Sequence, residues 1–186
     1  TWSAHPAGLS LDERIRILQK HAFTQERILR RCGHVTVTSK ERQLQTIDCV
    51  TNIVNNKIEG DLVEIGVYRG GMVMIMLYTL MRLGEIRHVH LYDTFSGMTE
   101  ASDKDVDLFG RKASDMWDAV KMECPLDIVK QNIESTGYPM EYIHFHVGDA
   151  RQITESPDKI ALLRLDIDWY DVYKAVLPVF EPHVTP

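Results

Sequence analysis

The sequence has 186 residues, of which 44% are hydrophobic and 26% charged, and its formal net charge is −6. This length suffices for one globular domain with a sizeable core, and the composition excludes disordered and fibrous proteins. No Lys/Arg-rich cluster is present, which argues against a nucleic-acid partner because neutralising phosphates requires clustered cations.

Cysteine usage and hydropathy suggest where the protein resides. Cys32, Cys49 and Cys124 are odd in number and widely spaced, which indicates neither a disulfide framework nor a zinc site. The most hydrophobic window, residues 72–81, is too short to span a bilayer, and no basic signal segment opens the chain. We therefore expect a cytoplasmic protein that does not associate with membranes.

Two amphipathic helices are predicted before the first strand. Ser10 and Glu13 have capping-box spacing, and apolar residues then recur at helical intervals to residue 31, which predicts one helix of about five turns. Residues 38–41 repeat the capping signal, and a second apolar stripe runs to Ile58. We expect residues 1–59 to form a helical cap or lid segment, which is also a candidate contact for a homo-oligomer, before a Rossmann-like domain over residues 60–186.

Strands and helices alternate along the rest of the chain. Apolar strands are predicted over residues 62–65, 88–93, 142–147 and 160–165. Helices are predicted over residues 70–83, 126–135 and 170–177, the last ending before Pro178. Residues 94–125 carry no strand signal and read as a mobile insertion, of the kind that is usually functional or disordered. The alternation implies a parallel α/β sheet with right-handed crossovers and flanking helices.

A glycine-rich turn follows the first predicted strand. Gly66 suits a tight turn, and Gly70 and Gly71 would let the backbone approach a ligand at a helix N-terminus. The spacing is not that of the dinucleotide fingerprint, because Tyr68 stands where a glycine must contact pyrophosphate. The turn resembles instead the first motif of class I S-adenosylmethionine (SAM) methyltransferases; an ordinary strand–turn–helix is the alternative.

All four predicted strands end in or lead into an acidic residue: Glu64, Asp93, Asp149 and Asp166. Ligands of open parallel sheets lie beyond the carboxyl ends of the strands, so we expect these acids to converge on one crevice. Asp93 follows Gly70 by 23 residues, the offset of an acid that binds ribose hydroxyls. Asp149 would lie at an adenine edge, and Glu64 would face a cationic sulfonium. Each acid alone is also compatible with a turn or a helix cap.

Asp166 and Asp168 form a pair of carboxylates at a strand end, which suits Mg²⁺. Two ligands do not complete a site, so the metal would take others from water and substrate and lower the pKa of a bound hydroxyl. The alternative is that Asp168 caps the helix that begins at Tyr170.

Two pairs of histidines share strand faces, His88 with His90 and His144 with His146. Their spacing makes a metal pair conceivable, whereas packing or hydrogen bonding is the commoner role of histidines in the middle of a covered strand.

Taken together, these segments resemble the macrocin O-methyltransferase (TylF-like) family of class I SAM-dependent methyltransferases. The matching pieces are Thr38-Ser39-x-x-Arg42, residues 60–71, Tyr92-Asp93-Thr94-Phe95-Ser96-Gly97, Gly148-Asp149 and residues 163–170. The resemblance implies SAM- and Mg²⁺-dependent methylation of a small-molecule hydroxyl, such as one on the sugar of a natural product. A non-catalytic SAM-binding or scaffold domain is the alternative, and Tyr68 disfavours a nicotinamide-dependent oxidoreductase.

The resemblance also implies specific site residues. The predicted cofactor-binding residues are Glu64, Gly66, Tyr68, Arg69, Gly70, Gly71, Asp93, Thr94, Ser96, Asp149 and Ala150. The predicted metal ligands are Asp166 and Asp168, and Asp166 is the predicted catalytic residue.

Two departures from the family pattern accompany the resemblance. The family completes its metal site with an Asp-Asp pair after the next strand, which we expect to lie beyond Pro186, so that the last strands of the sheet are missing. Some members are proposed to use a histidine of the insertion as general base, and residues 94–143 contain none. The insertion offers only acids as candidate bases, namely Asp103, Asp105, Asp107 and Asp115, and none is assigned.

Overall fold

The computed structural model describes residues 10, 13, 24–116 and 122–186. The helices are α1 (Gln25–Cys32), α2 (Lys40–Asn55), α3 (Gly71–Leu83), α4 (Leu126–Glu134) and α5 (Tyr170–Phe180). The strands are β1 (Asp61–Ile65), β2 (Val89–Asp93), β3 (Ile143–Val147) and β4 (Ile160–Leu165). The predicted alternation of strands and helices is confirmed.

The four strands form one parallel sheet in the order β3-β2-β1-β4. The chain runs outward from β1 to β3 and then returns to the other side of β1. This reversal opens a crevice beyond the carboxyl ends of β1 and β4, where ligands of such sheets bind. After α5, Val184 makes a parallel bridge to Ile160, which extends the pairing beyond β4.

Hydrophobic cores lie on both faces of the sheet because successive strand residues point to opposite sides. On one face, α1, α2 and α4 pack around α3, whose residues from Gly71 to Met81 are all buried. On the other face, Val63 and Ile65 of β1 pack against Val176 of α5. The N-terminal helices thus share a core with the sheet, and their action as a lid stays a prediction.

The predicted five-turn helix from residue 10 to residue 31 is wrong as one continuous element. The capping box is present, since the N–H of Glu13 donates to Ser10 Oγ at 3.3 Å and the N–H of Ser10 donates to Glu13 Oε2 at 2.8 Å. However, Thr24 is extended (φ −61°, ψ 154°), and its hydroxyl accepts from the N–H of Arg27, so α1 begins there. Threonine caps a helix in this way because its oxygen satisfies an N–H that has no partner within the helix. The apolar stripe residues Leu11, Ile15, Leu18 and Ala22 lie outside the described residues.

Helix α5 does not end before Pro178, as the sequence predicted, but continues to Phe180. A proline lacks the N–H that would bond the preceding turn. Phe180 is fully buried against the sheet, and this packing keeps the last turn helical despite the missing bond.

The insertion over residues 94–125 contains local structure that the sequence did not predict. Val106 and Lys112 form an antiparallel bridge, and Asp107 Oδ1 accepts from the N–H groups of Phe109 and Arg111 in the turn between them. Only one residue pairs on each side of this bridge. A segment this short has no alternating hydrophobic pattern from which the sequence could predict a strand. Across the residues that the structure describes, no helix combines the length and apolar character needed to cross a bilayer.

Candidate functional site

A cavity of about 430 Å³ lies beyond the carboxyl ends of the strands, at the reversal of strand order. All four acids that end or follow strands line it: Glu64, Asp93, Asp149 and Asp166. The convergence expected from parallel strands is therefore present.

The turn after β1 forms one wall and depends on glycine at two places. Gly66 has φ +86°, and a Cβ there would lie 2.1 Å from the carbonyl oxygen of Asp166. A Cβ on Gly71 would lie 2.7 Å from the Cβ of Thr36, so a side chain is excluded there too. These contacts bring the end of β4 close to the turn, and the segment before α2 close to the start of α3.

Asp93, at the end of β2, holds the turn in place. Its Oδ2 accepts from the N–H groups of Val67 (2.6 Å) and Tyr68 (3.0 Å), and its Oδ1 accepts from the N–H of Phe95 (2.8 Å). Both oxygens bond backbone, and the carboxylate still lines the cavity. Ribose binding by Asp93 stays a prediction.

Glu64, Arg164 and Asp166 form a linked set at the cavity floor. The strand register places Glu64 opposite Arg164, whose guanidinium donates Nη1–H to Glu64 Oε1 and Nη2–H to Asp166 Oδ2, the latter at 2.9 Å. Burial raises the pKa of Glu64, whereas the charge and hydrogen bond of Arg164 favour its ionised form. Glu64 Oε2 is buried without a hydrogen-bond partner in the described part of the chain. A buried acceptor in that state is suited to a donor from a ligand.

Asp166 and Asp168 both line the cavity and are exposed to solvent. The surrounding protein still shields part of the Asp168 carboxyl from water, and this shielding, together with the charge of Asp166, raises the pKa of Asp168. Among the residues that the structure describes, no group of three or more His, Cys, Asp or Glu side chains is arranged to hold a metal ion. The pair thus offers oxygen ligands of the type that Mg²⁺ prefers, but two carboxylates are only part of a complete ligand set.

The alternative role of Asp168, as cap of α5, is wrong. The N-cap residue is Trp169, which makes no side-chain cap bond, and Asp105 of the insertion accepts from the N–H of Tyr170 at 2.8 Å instead. Asp105 also accepts from the N–H (2.7 Å) and hydroxyl (2.8 Å) of Ser102. A residue 65 positions earlier in the chain therefore caps this helix.

Two other acids of the insertion make local ion pairs. Asp103 pairs with Lys112, and Asp107 pairs with Arg111. Asp105, one of the candidate bases of the insertion, is buried, and its carboxylate caps α5. Its position is therefore explained by a structural role.

Asp149 follows β3 and lines the cavity at its other end, next to Ala150. Its carboxylate pairs with Arg151 at 2.5 Å, and this hydrogen bond lowers the pKa of Asp149.

The structure brings most predicted site residues to this cavity. The following line it: Glu64, Gly66, Tyr68, Gly71, Asp93, Thr94, Asp149, Ala150, Asp166 and Asp168. Arg69, Gly70 and Ser96 do not, and Arg69 borders a separate cavity of about 330 Å³. Their predicted part in cofactor binding stays a prediction.

Sequence reasoning missed two contributions to the site. Residues 35–39 and Arg42, which precede or begin α2, line the cavity although they precede β1 in the chain. Arg164, which bonds both Glu64 and Asp166, was also missed. The sequence did contain a signal for it, because a charged residue within an apolar strand is rarely buried unless it is paired.

The four histidines lie on the sheet and contact one another. Nδ1 of His88 is 2.8 Å from Nε2 of His144, and Nδ1 of His90 is 3.1 Å from Nε2 of His146. Nε2 of His90 is 3.0 Å from Asp61 Oδ2. Burial lowers the pKa of His90 and of His146, which favours neutral, hydrogen-bonded rings. The packed interpretation of these residues therefore agrees with the geometry.

The strand order, the glycine turn and the cavity at the reversal define the Rossmann-like fold of class I methyltransferases. The O-methyltransferase NovP superposes with a TM-score of 0.70 at 25% identity, covering 94% of this chain and 78% of that one. The calicheamicin methyltransferase CalS11 shares the fold, with a TM-score of 0.63 at 19% identity over 93% of this chain and 73% of that one. The chain belongs to the macrocin-O-methyltransferase (TylF) family, whose model matches residues 19–186.

Two curated relatives from Streptomyces species are also similar. The 8-demethyl-8-(2,3-dimethoxy-alpha-L-rhamnosyl)-tetracenomycin-C 4'-O-methyltransferase of Streptomyces olivaceus is 29% identical over 147 residues, covering 74% of this chain and 54% of the relative. The demethyldecarbamoylnovobiocin O-methyltransferase of Streptomyces niveus is 28% identical over 141 residues, covering 70% of this chain and 51% of the relative. The chain thus spans about half the length of the curated relatives it matches.

Proposed function

We propose that this protein is a SAM-dependent methyltransferase that transfers a methyl group to a hydroxyl of a small molecule. The observation that carries the proposal is the acid-lined cavity at the reversal of strand order, in a chain of a methyltransferase family. Its volume of about 430 Å³ falls within the range of about 300–1,000 Å³ that is usual for small-molecule sites. The relatives named for a rhamnosyl-tetracenomycin and a novobiocin precursor support a natural product, and its sugar, as the acceptor class.

The cofactor would lie along the cavity with its methionine end at the glycine turn and its adenine near Asp149. Glu64 Oε2, a buried acceptor without a partner among the described residues, would meet the positive charge of the methionine end. Asp93 holds the turn by its bonds to Val67 and Tyr68 N–H, which preorganises this wall for the ligand.

The reaction breaks the bond between sulfur and the methyl carbon and forms a bond from that carbon to the acceptor oxygen. S-adenosylhomocysteine is the leaving group, and the proton of the acceptor hydroxyl passes to solvent. The part of the protein is to hold the two reactants in line, because correct positioning alone removes much of the barrier. Asp166 lies at the end of β4 next to the turn, with its Oδ2 held by Arg164. This places a fixed negative charge at the end of the cavity where the acceptor hydroxyl would lie.

Asp166 and Asp168 would hold Mg²⁺ as part of a larger ligand set. Their carboxylates suit this ion, which commonly takes only one or two carboxylates and completes its shell with water and substrate oxygens. When bound, Mg²⁺ would supply Lewis-acid polarisation of the acceptor hydroxyl.

Binding and turnover test the proposal separately. Calorimetry should detect S-adenosylhomocysteine binding, and methyl transfer to hydroxyl acceptors should require a divalent metal and stop with EDTA. Asp166→Asn should abolish transfer and change product affinity by no more than about 3-fold, since the interaction it removes acts on the transition state. Asp158→Asn, at an exposed position before β4, is the matched control and should change neither.

Each outcome has a distinct meaning. Absence of S-adenosylhomocysteine binding refutes the proposed function, and binding without transfer to any hydroxyl favours the non-catalytic alternative. An active Asp166→Asn variant contradicts the assignment of that residue, whereas activity that survives complete metal removal contradicts the role of Mg²⁺.

A further inference from the structure

The charges around the cavity are unequal. Five acids line it, namely Glu64, Asp93, Asp149, Asp166 and Asp168. Of the lining residues that the structure describes, Arg42 is the only Lys or Arg. A ligand with a carboxylate would be repelled by such a cavity unless a cation meets that group.

Most of the acids already have partners, whereas Arg42 has none. Arg164 bonds Glu64 and Asp166, and Arg151 bonds Asp149. The guanidinium of Arg42 makes no hydrogen bond or ion pair with any residue in the described ranges 24–116 and 122–186. An unpaired guanidinium beside a cavity is available for an anionic group of the ligand.

The position of Arg42 shows which end of the ligand it would meet. Its backbone N–H donates to Ser39 Oγ in the first turn of α2, and Gln43 Nε2 donates to the carbonyl of Thr38 at 2.7 Å, which ties the preceding segment to that turn. Thr36 of the same segment lies directly against Gly71, where a Cβ would be only 2.7 Å from the Cβ of Thr36. Arg42 therefore belongs to the glycine-turn end of the cavity, whereas Asp149 lies at the end formed by β3.

We propose that Arg42 binds the α-carboxylate of the methionine part of SAM and thereby sets the orientation of the cofactor; this inference rests on the proposed function. The amino-acid end of SAM carries one positive and one negative group. Glu64 Oε2 offers a buried acceptor for the ammonium, and Arg42 offers the cation for the carboxylate. A guanidinium suits this task because its fork of N–H groups matches a carboxylate.

The test combines a change in the protein with a matching change in the ligand. The ligands are S-adenosylhomocysteine and S-adenosyl-3-thiopropylamine, which lacks only the carboxylate. Arg42→Gln should weaken binding of the first by about 10- to 100-fold, the usual worth of a hydrogen bond to a charged group, and should leave the second within about 2-fold. Arg42→Lys, which keeps the charge without the fork, should bind the first ligand with intermediate affinity.

Lys40→Gln is the matched control, because it removes a positive charge from the same turn of α2 at a residue that does not line the cavity. It should change neither affinity by more than about 2-fold, since an exposed charge that does not touch the ligand is screened by solvent and salt. Calorimetry gives both affinities, and circular dichroism verifies that the variants are folded.

Three results would overturn the inference. An unchanged affinity of Arg42→Gln for S-adenosylhomocysteine removes the role of Arg42 and leaves the proposed function standing. An equal loss for both ligands shows that the carboxylate is not the group recognised. Failure of the unsubstituted protein to bind S-adenosylhomocysteine overturns the proposed function and this inference with it.

Discussion

Asp105 offers a sharp test of how the insertion supports the site. Its carboxylate reaches from the insertion to the first N–H of α5, two residues after Asp168, and also bonds the N–H and hydroxyl of Ser102. Asp105→Ala removes these bonds while leaving the rest of the chain unchanged. We expect the variant to fold with lower stability.

The size of the effect follows from the contacts. A helix N-cap contributes about 1 kcal/mol, and each buried donor left without a partner costs about 1 kcal/mol or more. With one N-cap bond to Tyr170 and two bonds to Ser102 lost, the free energy of unfolding should fall by about 2–3 kcal/mol. At about 2–4 °C per kcal/mol for a chain of this size, the thermal midpoint should fall by about 4–12 °C.

The effect should also depend on pH. Burial raises the pKa of Asp105, but the hydrogen bonds from the Tyr170 and Ser102 N–H groups outweigh this and lower it below the 3.8 of an unperturbed aspartate. Because the folded-state pKa is lowered, the contribution is present in full above the unfolded value of 3.8 and is lost as the pH falls toward and through the folded pKa. The difference between the wild-type and variant midpoints should therefore be constant near neutral pH and shrink below about pH 3.8.

Thermal unfolding followed by circular dichroism between pH 3 and pH 8 measures both quantities. Asp103→Ala, an exposed aspartate of the same insertion, is the control and should leave the midpoint unchanged. If Asp105→Ala behaves like the control, or if its effect is as large at pH 3 as at pH 8, the cap to α5 does not carry the stability assigned to it.

Three further predictions rest on single positions. Gly66→Ala should destabilise the fold by about 2 kcal/mol or more, because the φ of Gly66 is left-handed and a Cβ there would lie 2.1 Å from the Asp166 carbonyl oxygen. Chemical denaturation measures the free energy of unfolding, and a value equal to that of the wild type would contradict the close packing. Tyr138→Phe should cost about 1–3 kcal/mol in the same assay, since the hydroxyl bonds both the N–H and the carbonyl of Arg87 at 2.7 Å; an unchanged midpoint would show that solvent replaces these bonds. Burial raises the pKa of Cys32 to about 12, so iodoacetamide at pH 8 should alkylate it only after unfolding; modification of the native protein, seen by peptide mass spectrometry, would contradict its burial.

Much of the fold could be predicted because its signals are local. The strand over residues 160–165 was predicted with the bounds that the structure has, and the others differ by one residue at one end. Apolar runs and glycines predict strands and turns because they depend on the conformation of the backbone only a few residues away. Local signals also led to two wrong predictions. A continuous helical pattern hid the N-cap at Thr24, and Pro178 was predicted to end a helix that tertiary packing continues to Phe180.

The location of the site could be predicted from the parallel topology, but the contacts within it could not. Acids at the ends of parallel strands must approach one edge of the sheet, so the crevice could be inferred from the sequence. The ion pair between Glu64 and Arg164 could not, because the two residues are 100 positions apart and meet only through the register of β1 and β4.

The sequence by itself determined the alternation of elements, the glycine turn and the edge of the sheet at which the cavity lies. Only the tertiary structure decided that Asp105 caps α5, that Arg164 holds Asp166, and that Arg42 of an N-terminal helix joins the cavity. The physical reason is that periodicity is set by neighbours along the chain, whereas charge partners are set by strand order and packing, which no local pattern contains.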